Sequence, residues 1–161
     1  MKTLRLGVVL GCCWGALACG GAHPAEGGAP PNDAANAAGA ESPPATFGEQ
    51  VALGQKLYGQ NCAGCHGPGG AGTSDAPRVV GLKEGALPLD PPATAQFRKT
   101  QFKTVMDVGE FVVKNMPPNK GGSLGTEQYF AILAFDLKAN GIDLGDKKLD
   151  AELAKTLTIP R

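Results

Sequence analysis

Apolar residues recur at helical spacing in three stretches of the chain. Val51, Leu57 and Tyr58, with Gly54 among them, share one face of a helix that opens after Thr46. Thr46 and Glu49 stand at capping-box spacing, which places the helix start. Val105, Val108, Phe111 and Val112 mark a second helix from Thr104, with Asp107 three places on. That helix must stop near Asn115, because Met116 precedes Pro117 and a residue before proline is pushed out of the helical region. Met116 is therefore expected in an extended segment at a helix exit. Phe130, Leu133, Ala134 and Leu137 mark a third helix from Thr126 to Ala139, with Thr126 as its N-cap and Asn140-Gly141 as its stop. The tail adds at most a short helix within residues 149–157. No stretch alternates with the period of a strand, so the fold class is all-α, with about three main helices.

The segments between and before these helices divide the chain. Pro88, Pro91 and Pro92 and the glycine-rich run Gly67 to Gly72 make residues 67–95 a loop. Residues 1–18 read as a secretory signal: Lys2 and Arg5 precede an apolar run, Leu6 to Ala18, too short to span a membrane comfortably. Ala16-Leu17-Ala18 suits ordinary signal cleavage, which would release a soluble protein. Followed by Cys19, the same residues resemble a bacterial lipoprotein signal, with Cys19 lipidated and the chain anchored to a membrane. Residues 20–46 are dominated by Gly, Ala and Pro without apolar periodicity, the composition of a flexible linker. A linker of that length has a root-mean-square span of roughly 30 Å, enough to tether a small domain off a membrane surface. The expected organisation is a signal at 1–18, a lipidated Cys19 with its linker at 19–46, and one folded domain at 47–161.

Charge removes one class of partner. The formal net charge is zero, with 15 basic and 15 acidic residues, so nucleic acid is not indicated. Aromatic residues are only 6% of the chain, a poor supply of apolar surface for a domain of this size. A buried prosthetic group would make up part of that deficit.

The chemistry is concentrated at Cys62-Ala63-Gly64-Cys65-His66, the C-x-x-C-H attachment signal for a covalently bound c-type haem. Two thiols three positions apart can reach two vinyl groups, and the next residue, His66, can ligate the iron. The second axial ligand follows from counting. The sequence has two histidines, and His23 lies in the linker. Of three methionines, Met1 leaves with the signal and Met106 sits mid-helix as a packing residue. Met116, in its extended Met-Pro segment, is free to turn its sulfur toward the metal. His/Met ligation raises a haem's potential and closes the sixth position, which favours electron transfer over catalysis.

These residues carry a family resemblance. Cys62 to His66, Met116-Pro117 some fifty residues later and a closing aromatic helix resemble a class I cytochrome c. Asn115-Met116-Pro117, Gly122-Ser123-Leu124 and Tyr129 to Ala134 are similar to the monohaem cytochromes that serve bacterial periplasmic dehydrogenases, including sulfite- and thiosulfate-oxidising systems. The resemblance covers roughly residues 50–145. It implies that the Pro77 carbonyl accepts a hydrogen bond from the proximal His66, and that Gly54 and Tyr58 lie where the first helix crosses the last, near Phe130 and Ala134. Asp136 departs from the pattern, standing where that group has an apolar residue.

The resulting expectation is a periplasmic, membrane-anchored electron carrier with one covalent haem c, not an enzyme, exchanging single electrons with a dehydrogenase or a terminal oxidase or reductase. The main alternative is a haem enzyme or sensor with an open sixth site, such as a small peroxidase. A haem-free thiol or zinc module is a third reading, and it lacks both a strand pattern and an obvious fourth ligand.

Overall fold

The first helix begins at the expected capping box. Thr46 Oγ1 accepts from the Glu49 N–H at 3.3 Å, and the Glu49 carboxylate accepts from Thr46 and Ala45 N–H groups at 3.2 and 2.7 Å. In this computed structural model, residues 42–160 are described, except 88, 92, 94, 96, 97 and 100. The expected signal, Cys19, His23 and the linker as far as residue 41 lie outside the described residues.

Five α-helices are present among the described residues: α1 Phe47–Asn61, α2 Ala63–His66, α3 Val105–Asn115, α4 Thr126–Ala139 and α5 Ala151–Thr156. The fold is all-α. The one strand-like contact described is an isolated bridge between Thr104 and Thr158, which docks the C-terminal tail beside the start of α3. Helix α3 opens on its own capping box, Thr104 with Asp107, and ends at Asn115 where the Met-Pro step forbids continuation. Helix α4 spans the expected residues, but its N-cap is Gly125, one place before Thr126. The Gln128 side chain supplies the cap by accepting from the Gly125 N–H at 2.9 Å. At its other end Gly141 N–H bonds to Lys138 and Ile142 N–H to Leu137, the paired contacts of a Schellman stop.

Helix α4 buries far more than a stripe. Tyr129, Ala131, Ile132, Leu133, Ala134 and Leu137 are all buried. One side joins Leu57 and Tyr58 of α1. The other joins Phe47, Val105, Val108, Leu149, Ala154 and Ile159. The helix is enclosed on both sides, so a one-sided amphipathic pattern understates its burial.

The α1–α4 crossing depends on Gly54. A Cβ at that position would lie 1.9 Å from the Ala131 carbonyl oxygen and 3.0 Å from Phe135 Cβ. Only a residue without a side chain lets the two backbones approach this closely. Tyr58, one turn on, stacks at 5.1 Å between ring centroids against Phe135. At Gly54 and Tyr58 the crossing falls on Ala131 and Phe135, each one place on from Phe130 and Ala134, near which the resemblance set it. Successive residues are separated by about 100° around a helix, so an offset of one position changes the neighbour. Phe130 and Ala134 pack in the second cluster, which also holds Phe47 and Val51 of α1.

One buried polar residue closes the domain. Gln50 is fully buried on α1, and its amide both donates to the Leu149 carbonyl at 2.9 Å and accepts from the Leu149 N–H at 2.7 Å. It ties the tail to the first helix. Phe47, Gln50, Gly54 and Leu57 follow helical spacing, a signal that the glutamine faces inward.

Two substitutions on α1 separate packing from propensity. Gly54→Ala must push α4 away and should cost about 3 kcal/mol, the upper end of ordinary overpacking. Gly59→Ala meets nothing within 4 Å and should stabilise by about 0.5–1 kcal/mol through helix propensity. Thermal or urea unfolding of both variants checks the opposite signs.

Candidate haem attachment site

Helix α1 delivers the Cys62–His66 segment. The Cys62 N–H still bonds to the Tyr58 carbonyl at 2.8 Å, but its backbone at φ −120°, ψ −38° leaves the helix. The single turn of α2 follows, closed by the His66 N–H on the Cys62 carbonyl at 2.9 Å. Both thiols are free. Cys65 is exposed, whereas Cys62 is half-buried against the Leu57–Tyr58 cluster. Burial, then the nearby Asp136 and Cys65, push the Cys62 thiol up to about 11. A redox-active thiol pair needs the opposite shift, toward thiolate.

The loop after α2 folds back to meet His66. Gly72 N–H bonds to the His66 carbonyl at 2.7 Å, and Val79 and Val80 N–H groups converge on the Gly70 carbonyl at 2.9 and 3.0 Å. Gly72 sits at φ +83°, and a Cβ there would lie 2.8 Å from Arg78 N. Thr73 holds the bend. Its hydroxyl donates to the Cys65 carbonyl and accepts from Asp75 and Ala76 N–H groups at 3.1 and 3.3 Å. The fold-back places the Pro77 carbonyl oxygen 2.7 Å from His66 Nδ1. A carbonyl can only accept, so Nδ1 carries the proton and Nε2 of the neutral ring keeps a free lone pair. The bond also orients the ring and strengthens Nε2 as a donor to a metal.

Met116 stands at the exit of α3 in extended conformation, φ −122°, ψ 143°, followed by a cis bond to Pro117. Its backbone is held at both ends. The Met116 N–H bonds to the Val112 carbonyl at 2.8 Å, and its own carbonyl accepts from the Tyr129 hydroxyl of α4 at 2.9 Å. Its side chain is half-buried. Cys62, Cys65, His66 and Pro77 thus form one hydrogen-bonded group. Among the described residues no hydrogen bond joins Met116 to it, and Cys19 lies outside them.

Several residues that position the site have no motif. Tyr58 is a core aromatic whose hydroxyl donates to the Gly67 carbonyl at 3.1 Å, just after the histidine. Asn140, the C-cap of α4, donates to the Val79 carbonyl at 2.9 Å and accepts from Gly81 N–H at 2.8 Å. It fastens the far side of the Pro77 loop. Thr73, Tyr129 and Asn140 act through contacts between segments distant in sequence. Only the Asn-Gly helix stop marked one of them in advance. Asp136, the departure noted in the sequence, has its Oδ1 buried with no hydrogen-bond partner among the described residues, and burial pushes its carboxyl up to about 8.

The family described as cytochrome C oxidase, cbb3-type, subunit III matches residues 49–135, a little over half the chain. The chain belongs to that cytochrome c family. Among solved structures it is similar to a chain of the sulfane dehydrogenase SoxCD from Paracoccus pantotrophus, with 30% identity and a TM-score of 0.51. The match covers 68% of this chain and 53% of that one, so it spans about half the length of its structural relative. No curated protein matches. The family is one of electron-transfer cytochromes, whose cofactor is covalently bound haem c.

The residues present fit that group. Two unpaired thiols lie a single helical turn apart. The following histidine has one nitrogen committed to a carbonyl and the other available, the donor set of an attached haem with a proximal ligand.

Two outcomes follow from this geometry. Thr73→Val keeps the shape but removes the hydroxyl that binds the bend to Cys65. It should cost about 1–2 kcal/mol in urea unfolding, with Thr73→Ser restoring the stability. The second concerns Asp136. Its carboxyl ionises near 4 when unfolded and near about 8 when folded. Between those values the folded state holds a proton that the unfolded state lacks. The stability due to this group is therefore complete below about pH 4 and is lost as pH rises through about 8, by up to about 1.4 kcal/mol per pH unit. Asp136→Leu should gain Tm over the parent protein progressively from about pH 4.5 to about pH 9, read by calorimetry at each pH.

Proposed function

We propose that the protein is a monohaem, six-coordinate electron carrier of the bacterial periplasm. Cys62 and Cys65 form the thioether links, and His66 and Met116 are the axial ligands. The observation that carries this reading is the His66–Pro77 bond at 2.7 Å. It presents one lone-pair nitrogen beside two free thiols. The Met116 assignment rests on the extended segment at the α3 exit and on the Tyr129 bond that holds its backbone while leaving the sulfur uncommitted. Haem c supplies the reversible one-electron couple. The chain's residues hold it, orient the histidine and close the sixth position. The raised Cys62 thiol disfavours the thiol-redox alternative.

The reading extends to location and partner. Residues 1–18 serve as a signal, Cys19 carries a lipid, and the linker as far as residue 46 lets the domain at 47–161 reach a partner near the membrane. The likeness to a SoxCD chain supports a periplasmic dehydrogenase as electron donor. Near-neutral charge suits brief docking to such a partner.

Protein made alongside a haem-ligation system should give the alkaline pyridine haemochrome of thioether-linked haem, at one haem per chain. The oxidised protein should show the near-infrared sulfur-to-iron charge-transfer band. Met116→Ala should retain covalent haem, lose that band and shift the redox equilibrium toward the oxidised form by tenfold or more, about 59 mV or beyond. High-spin features in the unsubstituted protein, or an unchanged potential in the variant, would assign the sixth position to something other than Met116.

A further inference from the structure

Asp136 is out of keeping with its surroundings. It points from α4 into a small cavity whose other walls are Leu87, Val105, Val108, Leu133, Leu137 and Ile159, all apolar. Its Oδ1 is buried and, among the described residues, has no hydrogen-bond partner. Leaving such an oxygen unpaired is destabilising, and more so if it is charged. An apolar residue would fill the position without that cost. Its charge reaches the haem attachment segment, since ionised Asp136 raises the Cys62 thiol and the Tyr58 hydroxyl.

The titratable groups around it are few. From α1, Tyr58 and Cys62 lie close enough for its charge to act on them. Tyr58 is pushed far above the neutral range, and Cys62 becomes a thioether once haem is attached. Helix α3 contributes Val105 and Val108, the loop Leu87, and the tail Ile159. Among the described residues no cation offsets the burial, which is the sole cause of the shift. Among the described residues, Asp136 is thus the single titratable group that lines this cavity.

We propose that Asp136 is a redox-linked proton site: the protein binds one proton on this carboxylate when it takes up an electron and releases it when the electron leaves. This rests on the reading of the chain as a haem electron carrier. The step balances as one electron from the redox partner and one proton from solvent. The electron goes to the haem couple, and the proton forms the O–H of the Asp136 carboxyl. Oxidation returns both. The direction follows from electrostatics. An added electron lowers the positive charge near Asp136, so its carboxyl holds its proton more tightly in the reduced protein. The oxidised and reduced proteins then differ in protonation over a window around the neutral to mildly alkaline values to which burial has moved this group.

The test measures the potential of the haem-loaded protein and of Asp136→Asn and Asp136→Leu from about pH 5 to about pH 10. In the unsubstituted protein the redox equilibrium should shift with pH inside the window, by at most about tenfold per pH unit, or about 59 mV. Both variants should lose that slope and lie above the parent potential at the alkaline end. At the acid end Asp136→Asn should agree with the parent. Infrared difference spectra of the unsubstituted protein, reduced minus oxidised at about pH 8, should show a protonated carboxyl band appearing on reduction, and this needs no variant. A parent slope that persists in both variants would assign the proton to the haem propionates and overturn the proposal. A parent without a slope and without the band would overturn it as well. In either case a thioether haemochrome leaves the electron-carrier reading standing. Protein that takes up no covalent haem would overturn both together.

Discussion

The contact between Gly54 and the Ala131 carbonyl sets the rest of this domain in place. Two helices can approach this closely only without a side chain at position 54, because any Cβ there would collide with the Ala131 backbone and force the helices apart. That crossing aims the C-terminal end of α1, and with it the Cys62–His66 segment, along the flank of α4. Tyr58 reinforces the same junction from two directions. Its ring packs on Phe135, and its hydroxyl reaches the Gly67 carbonyl beyond the histidine. The helix crossing and the attachment segment are thereby one mechanical unit.

The histidine is positioned by a second layer of contacts, all of them polar and all made by short residues. Gly72 permits the fold-back, Thr73 ties the bend to the Cys65 carbonyl, and Asn140 pins the outgoing strand of the loop to the end of α4. Each bond is of modest strength. Together they leave the Pro77 carbonyl no freedom to move away from His66, and so decide which ring nitrogen is available to a metal. A similar economy holds at Met116, whose carbonyl is taken by Tyr129 while its sulfur makes no hydrogen bond among the described residues.

Asp136 stands against this pattern of satisfied polar groups. Gln50, fully buried, has both ends of its amide paired with Leu149. Asp136 Oδ1 has no partner among the described residues. The contrast shows that the fold can satisfy a buried polar side chain where it needs one. It also gives the unpaired carboxyl a meaning other than poor packing. A group kept protonated by burial stabilises the domain at low pH and weakens it at high pH. The same property makes it sensitive to any change of charge nearby.

Local features were legible in the chain itself. The capping boxes at Thr46 and Thr104, the proline that stops α3 at Asn115, the Asn-Gly stop of α4 and the extended backbone of Met116 each depend on neighbours within a few residues, where steric rules act. Periodicity located the three main helices for the same reason. It underestimated α4, because a helix enclosed on both sides has no polar face to reveal its orientation. It also could not fix the crossing partners of Gly54, which depend on the rotation of one helix about its axis and not on spacing along the chain. The motif specified the thiols and the histidine. Only tertiary structure could bring the carbonyl of Pro77 to that histidine, seal Gln50 against Leu149 and leave Asp136 unpaired. These contacts join segments far apart in sequence, and their energies exist only once packing has removed water from between them.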